Sequence, residues 1–87
     1  MKVDPLQYVM EERARQDEKW GVQTHDNLYW LGILMEEVGE TAKAIIEHKQ
    51  DKVYKELVQV VAVGLAWLED LEAERNPHTS PTGAERK

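Results

Sequence analysis

The sequence contains no cysteine, which excludes disulfides and thiolate metal sites. It is also short of positive charge: 11 Lys and Arg stand against 17 Asp and Glu, a formal net charge of -6. A general nucleic-acid binder needs a basic stripe to meet phosphates, so no nucleic-acid polymer is expected as a partner. A phosphorylated small molecule stays open, because a metal ion neutralises phosphates locally. Long apolar runs are missing too, and the opening stretch MKVDPLQYVMEERARQDEK has no apolar segment. No membrane partner and a cytoplasmic location are therefore expected. What remains is a chain of 87 residues, 41% hydrophobic, which fits one small folded domain. So small a core makes self-association a natural way to bury more surface.

Three helical segments can be read along the chain. Asp4-Pro5 is a start signal, with Asp as N-cap and Pro at the first helical position. The first helix then runs from Pro5 to about Lys19, with Leu6, Val9, Met10 and Ala14 as a thin apolar stripe. Trp20 to Asn27 breaks the pattern: Gly21 permits a turn, and Asp26 or Asn27 can cap the next helix. That second helix is expected from about Leu28 to His48, with Leu31, Leu34, Val38, Ala42 and Ile45 as its core face. Lys49-Gln50-Asp51 is a short polar link offering a further N-cap. The third helix, from about Lys52 to Glu74, is apolar at every position between Leu57 and Leu68 except Gln59 and Gly64. A helix apolar all round is buried on all sides, so its second face is expected to pack against another copy. Residues 1–75 form the helical domain in this reading, and 76–87, rich in turn formers, a flexible tail.

Glu36, Glu37 and Glu40 place three carboxylates within five residues of the second helix. Like charges one turn apart repel by about a few tenths of a kcal/mol. Either solvent or a divalent cation must compensate. At about 100° per residue, Glu37 and Glu40 share a stripe with Trp30, Ile33 and Ala44, roughly opposite the expected core face. Glu36 lies at its edge, near Lys43 and Glu47. On the third helix, Glu56 and Gln59 are flanked by Val60, Val63 and Trp67. Burying a lone carboxylate there is costly without a partner. If the two helices pack antiparallel, Glu37, Glu40, Glu56 and Gln59 converge from facing helices, which is how helical bundles build sites for hard cations. Magnesium, with its preference for oxygen ligands, water and substrate phosphate, suits such a set. Alternatively Glu56 pairs with Lys52, and Glu36 and Glu47 simply solvate the surface.

Glu36-Glu37-x-x-Glu40 with a downstream Glu56-x-x-Gln59 resembles the signature of the MazG-like all-α nucleoside triphosphate pyrophosphohydrolases, in particular small single-domain bacterial and phage members. The likeness extends over ERARQDEKWGVQTHDNLYWLGILMEEVGE and covers roughly Glu12 to Leu71. The second motif departs at its last position, where Gln59 stands in place of Asp. The resemblance implies an all-α helical bundle, three helices per subunit, completed as a homodimer or homotetramer. It implies Mg²⁺-dependent cleavage, with Mn²⁺ as an alternative metal, of a nucleoside triphosphate into a monophosphate and pyrophosphate. Glu37, Glu40 and Glu56 would be metal ligands, with Gln59 as a neutral fourth, and Glu36 would orient water or hold a second ion.

Trp20, His25, Asn27 and Trp30 cluster at the start of the second helix, where aromatics could stack on a base and His25 and Asn27 could bond its edge. Equally, the two Trp could close the core and His25 cap a turn. Lys43 could reach a phosphate or bond Glu40; His48 and His78 read as surface residues. The competing function is a non-catalytic helical module that binds nucleotide or a partner through a degenerate metal site, with Gln59 as its best support. A coiled-coil assembly factor is disfavoured because no heptad is sustained.

Overall fold

The computed structural model describes residues 4–75, so the expected tail at 76–87, with His78, lies outside the described residues. Three α-helices make up the fold: α1 (Pro5–Trp20), α2 (Asn27–Ile46) and α3 (Gln50–Arg75). Each boundary has a local cause. The Asp4 carboxylate accepts from the Leu6 amide ahead of Pro5, and Asp26 accepts from the Tyr29 amide. Gly21 ends α1 with φ +74°, a backbone region that strains any side chain. The second helix stops at Ile46, two residues before the expected end, because His48 turns into the left-handed region at φ 58°. The third begins at Gln50, so Asp51 sits inside the first turn rather than capping it.

α3 is the organising element. Both α1 and α2 pack on it, and their backbones do not pack on each other. Pairings of Asn27 with Trp67, Trp30 with Asp70 and Glu37 with Glu56 set α2 antiparallel to α3. Tyr8 against Tyr54 and Gln16 against Gln59 carry α1 along α3 in the same sense. The shared core is small: Val9, Trp30, Ala44, Ala62 and Val63 are the buried apolar residues. Ala62, fully buried, leaves room for α1 to approach.

Two expected faces are overturned. On α2 the stripe of Trp30, Ile33, Glu37 and Ala44 turns inward, whereas Leu31, Val38, Ala42 and Ile45 are exposed and Leu34 is half-buried. Both stripes keep helical period, and the inward one carries Trp30, whose ring is too large to leave in water when a groove can take it. On α1, Val9 is buried as expected, but Leu6, Met10 and Ala14 are exposed, and Arg13 and Gln16 are the other buried residues. The cause is polar. Arg13 hydrogen-bonds Gln16 and Asp17 and pairs with Glu69 of α3, while Gln16 bonds Gln59. Burial opposes the Arg13 charge, but Glu69 and Asp17 more than offset it and raise its pKa. The α1–α3 contact is thus a polar ladder rather than the apolar stripe.

Candidate functional site

Because α1 and α2 both lean on α3 without meeting, a cleft opens between them. It holds a cavity of about 470 Å³, floored by Gln59, Val63 and Ala66 of α3 and walled by Gln16 and Trp20 of α1 and by Tyr29, Trp30, Ile33 and Glu37 of α2. An apolar floor with a few convergent polar groups is the usual form of a small-ligand site.

Glu37 and Glu56 meet across the α2–α3 contact. Burial, a hydrogen bond donated by the protonated Glu37 to Glu56, and the charges of Glu56, Glu36 and Glu40 together push the Glu37 carboxyl up to about 7. Two carboxyl groups that face each other share a proton when no cation lies between them. Glu36 and Glu40 are both exposed, outside this contact but near enough to act on Glu37 through charge. Among the described residues no group of three or more His, Asp or Glu side chains is gathered closely enough to hold a metal ion. Glu37 and Glu56 are thus two facing carboxylates, fewer oxygen donors than an all-protein cage for a hard cation needs.

Gln59 lines the cleft near Glu37, yet its amide is engaged. Its Oε1 accepts from Gln16 Nε2 at 3.3 Å, and its side chain also bonds Glu12. Burial works against the Glu12 carboxylate, but Arg15, Gln59 and Gln16 hold its pKa below the usual range. Arg15 reaches Glu12 with two bonds, at 3.0 and 2.6 Å. Sequence reasoning missed Glu12 and Gln16, which read there as ordinary polar positions of α1.

The four residues expected at a base site divide. Trp20 is 56% exposed on the cleft wall, with the Lys19 ammonium 4.7 Å from its ring centroid, so it is not a core aromatic. Trp30 is 3% exposed and does close the core, its Nε1 donating to Asp70 at 2.8 Å. His25 stacks on Tyr29 with centroids 4.2 Å apart, and Nε2 lies 2.7 Å from Gln23 Oε1. Asn27 accepts from Trp67 Nε1 at 2.9 Å. Trp20 is therefore the aromatic left open for stacking, while His25 and Asn27 already have partners. Lys43 is exposed, and Glu47, its neighbour one turn on, is bonded by Lys49 at 3.2 Å. His48 is exposed, as expected.

Asp70 is a third residue that sequence reasoning missed. Its Oδ2 accepts from the His25 backbone amide at 2.9 Å as well as from Trp30, which ties the α1–α2 loop and the start of α2 to α3. No local sequence pattern marks it. No helix among the described residues is long and apolar enough to cross a membrane. Compared with family models, curated proteins and solved structures, the chain matches none, so the reading of the cleft stands on its own residues.

Proposed function

We propose that this protein is a Mg²⁺-dependent nucleoside triphosphate pyrophosphohydrolase of the MazG-like kind, acting in the cytoplasm as a homodimer or homotetramer. The observation that carries it is the Glu37–Glu56 carboxyl pair at the edge of an aromatic-walled cleft. When bound, Mg²⁺ (or Mn²⁺) would offset the charge of the triphosphate and polarise the attacking water. Glu37 and Glu56 would hold it, with Glu40 joining as the phosphates arrive and Glu36 orienting water from the rim. Water would attack the α-phosphorus in line, the bond to the bridging oxygen would break, and pyrophosphate would leave. Glu36, at the rim and not among the residues that would hold the metal, would take the proton that the water gives up. Trp20 would stack on the base, and Lys43 is the nearest candidate cation on α2 for a phosphate.

A panel of NTPs and dNTPs with Mg²⁺ or Mn²⁺, read as pyrophosphate release, tests this. Turnover of at least one nucleotide, lost in Glu40→Gln, is expected; no pyrophosphate from any member refutes it for the isolated protein.

The engagement of Gln59 by Gln16 and Glu12 favours a second reading, a non-catalytic module that binds nucleotide or a partner. Calorimetry separates the two, since nucleotide binding without hydrolysis belongs to the second alone.

A further inference from the structure

A second cavity, of about 370 Å³, adjoins the cleft and shares Gln23, Trp30 and Ala66 with it. It lies farther along α3, where Ala66, Asp70 and Ala73 recur at i, i+4 and i+7 and so share a face. The two alanines are short enough to leave the room, and Trp30 supplies an aromatic wall. The α1–α2 loop closes one side with Val22 and Thr24, and α1 closes another with Arg13 and Asp17. None of the residues assigned above to metal, water, base or phosphate lines this chamber.

Its polar groups are left unbalanced in two ways. The Arg13 side chain is only 9% exposed, and its terminal nitrogens bond Gln16, Asp17 and Glu69. Its Nε–H has none: among the described residues it is the one buried side-chain polar atom without a hydrogen-bond partner. A buried donor left so costs the full loss of its hydration. Asp70 shows the opposite excess. Its Oδ2 takes both the His25 amide and Trp30 Nε1, while Oδ1 takes no donor from the described residues.

Charge and hydrogen-bond pattern together select the guest. Asp17, Glu69 and Asp70 set three carboxylates around one guanidinium, so a carboxylate or phosphate is repelled. A bare ammonium suits the carboxylates but leaves the Arg13 Nε–H unpaired, because it has no acceptor. A neutral primary amide answers both needs, with one acceptor oxygen beside two N–H donors. We infer that this chamber binds a small planar molecule bearing a primary carboxamide. The amide oxygen accepts from Arg13 Nε, the amide N–H donates to Asp70 Oδ1, and the ring lies against Trp30. The volume stands at the lower end of small-ligand cavities, which suits a guest of one ring.

Calorimetry of the full chain with benzamide, benzoate and benzylamine tests this, since the three share a ring and differ in the polar group. Neither metal nor nucleotide is added. Benzamide should bind one to one with a Kd on the order of 1 mM, the range open to so small a ligand. Benzoate and benzylamine should bind at least about tenfold more weakly. Ala73→Leu, at an exposed position that tolerates a larger side chain, should weaken benzamide about tenfold by filling the chamber. Trp20→Ala changes the wall of the cleft and not of the chamber, so benzamide binding should be unchanged. Circular dichroism checks that both variants are folded. Benzamide that fails to bind, or binds no better than benzylamine, overturns the inference. Binding kept in Ala73→Leu or lost in Trp20→Ala overturns it too, since the amide would then sit elsewhere. Pyrophosphate release enters none of these readouts, so the proposed activity and this chamber stand or fall separately.

Discussion

Glu37 of α2 faces Glu56 of α3 carboxyl to carboxyl, and that contact, with burial, raises the Glu37 pKa to about 7.

The pH response has a definite sign. The Glu37 pKa rises from 4.5 unfolded to about 7 folded, so the folded chain holds the extra proton. Its contribution to stability is fully present below pH 4.5 and is lost as pH rises through about 7. In EDTA, Tm should therefore fall between about pH 5.5 and 8 more steeply than in Glu37→Gln. If the two proteins show the same slope by thermal scanning, the shared proton is not there.

If Mg²⁺ binds as proposed, it should reverse that trend, replacing the proton between two ionised carboxylates. At about pH 8, millimolar Mg²⁺ raises Tm of the wild type and leaves Glu56→Gln unchanged. Under the proposed function, Glu56→Gln should lose on the order of a hundredfold or more in kcat/KM, because it would remove a metal ligand rather than a supporting group.

Gln59→Asp would convert the second motif to the family pattern, yet a gain is not expected in the metal-free protein. The native amide accepts from Gln16 and bonds the Glu12 carboxylate, and a carboxylate in its place would face Glu12 as a like charge. Chemical denaturation in EDTA should show a loss of about 1–3 kcal/mol, with partial recovery on adding Mg²⁺.

Asp70→Ala should cost about 2–4 kcal/mol, because it leaves two donors, the His25 amide and Trp30 Nε1, without their acceptor. Trp30 fluorescence should shift to the red in the folded variant. Asp70→Asn keeps one acceptor oxygen and should lose roughly half as much.

Local signals explain why some of this could be read from the chain and some not. Helix number and caps were legible because Asp4-Pro5, Gly21 and Asp26 act within a few residues of themselves. The meeting of Glu37 with Glu56 was legible from spacing once α2 and α3 were taken as antiparallel. Which α2 stripe faces inward was not, since 30/33/37/44 and 31/34/38/42/45 are both largely apolar at helical period. Periodicity states that a helix has a face to bury; it does not say whether its own subunit or another buries it. Glu12, Gln16 and Asp70 were invisible for a different reason. Their partners on other elements lie 40 or more residues away, and a polar residue on a helix carries no sign of which distant donor it will meet.

The lack of any α1–α2 packing has a consequence for the breadth of ligands the cleft can admit. Its two walls are joined through α3 and the short 21–26 loop, and no packing contact holds them to each other. A guest of greater girth would be admitted by tilting α1 about its polar ladder, Gln16 to Gln59 and Arg13 to Glu69, rather than by repacking the α2–α3 core. Tolerance for size therefore resides in α1, and rigidity in the helix pair that carries the carboxylates.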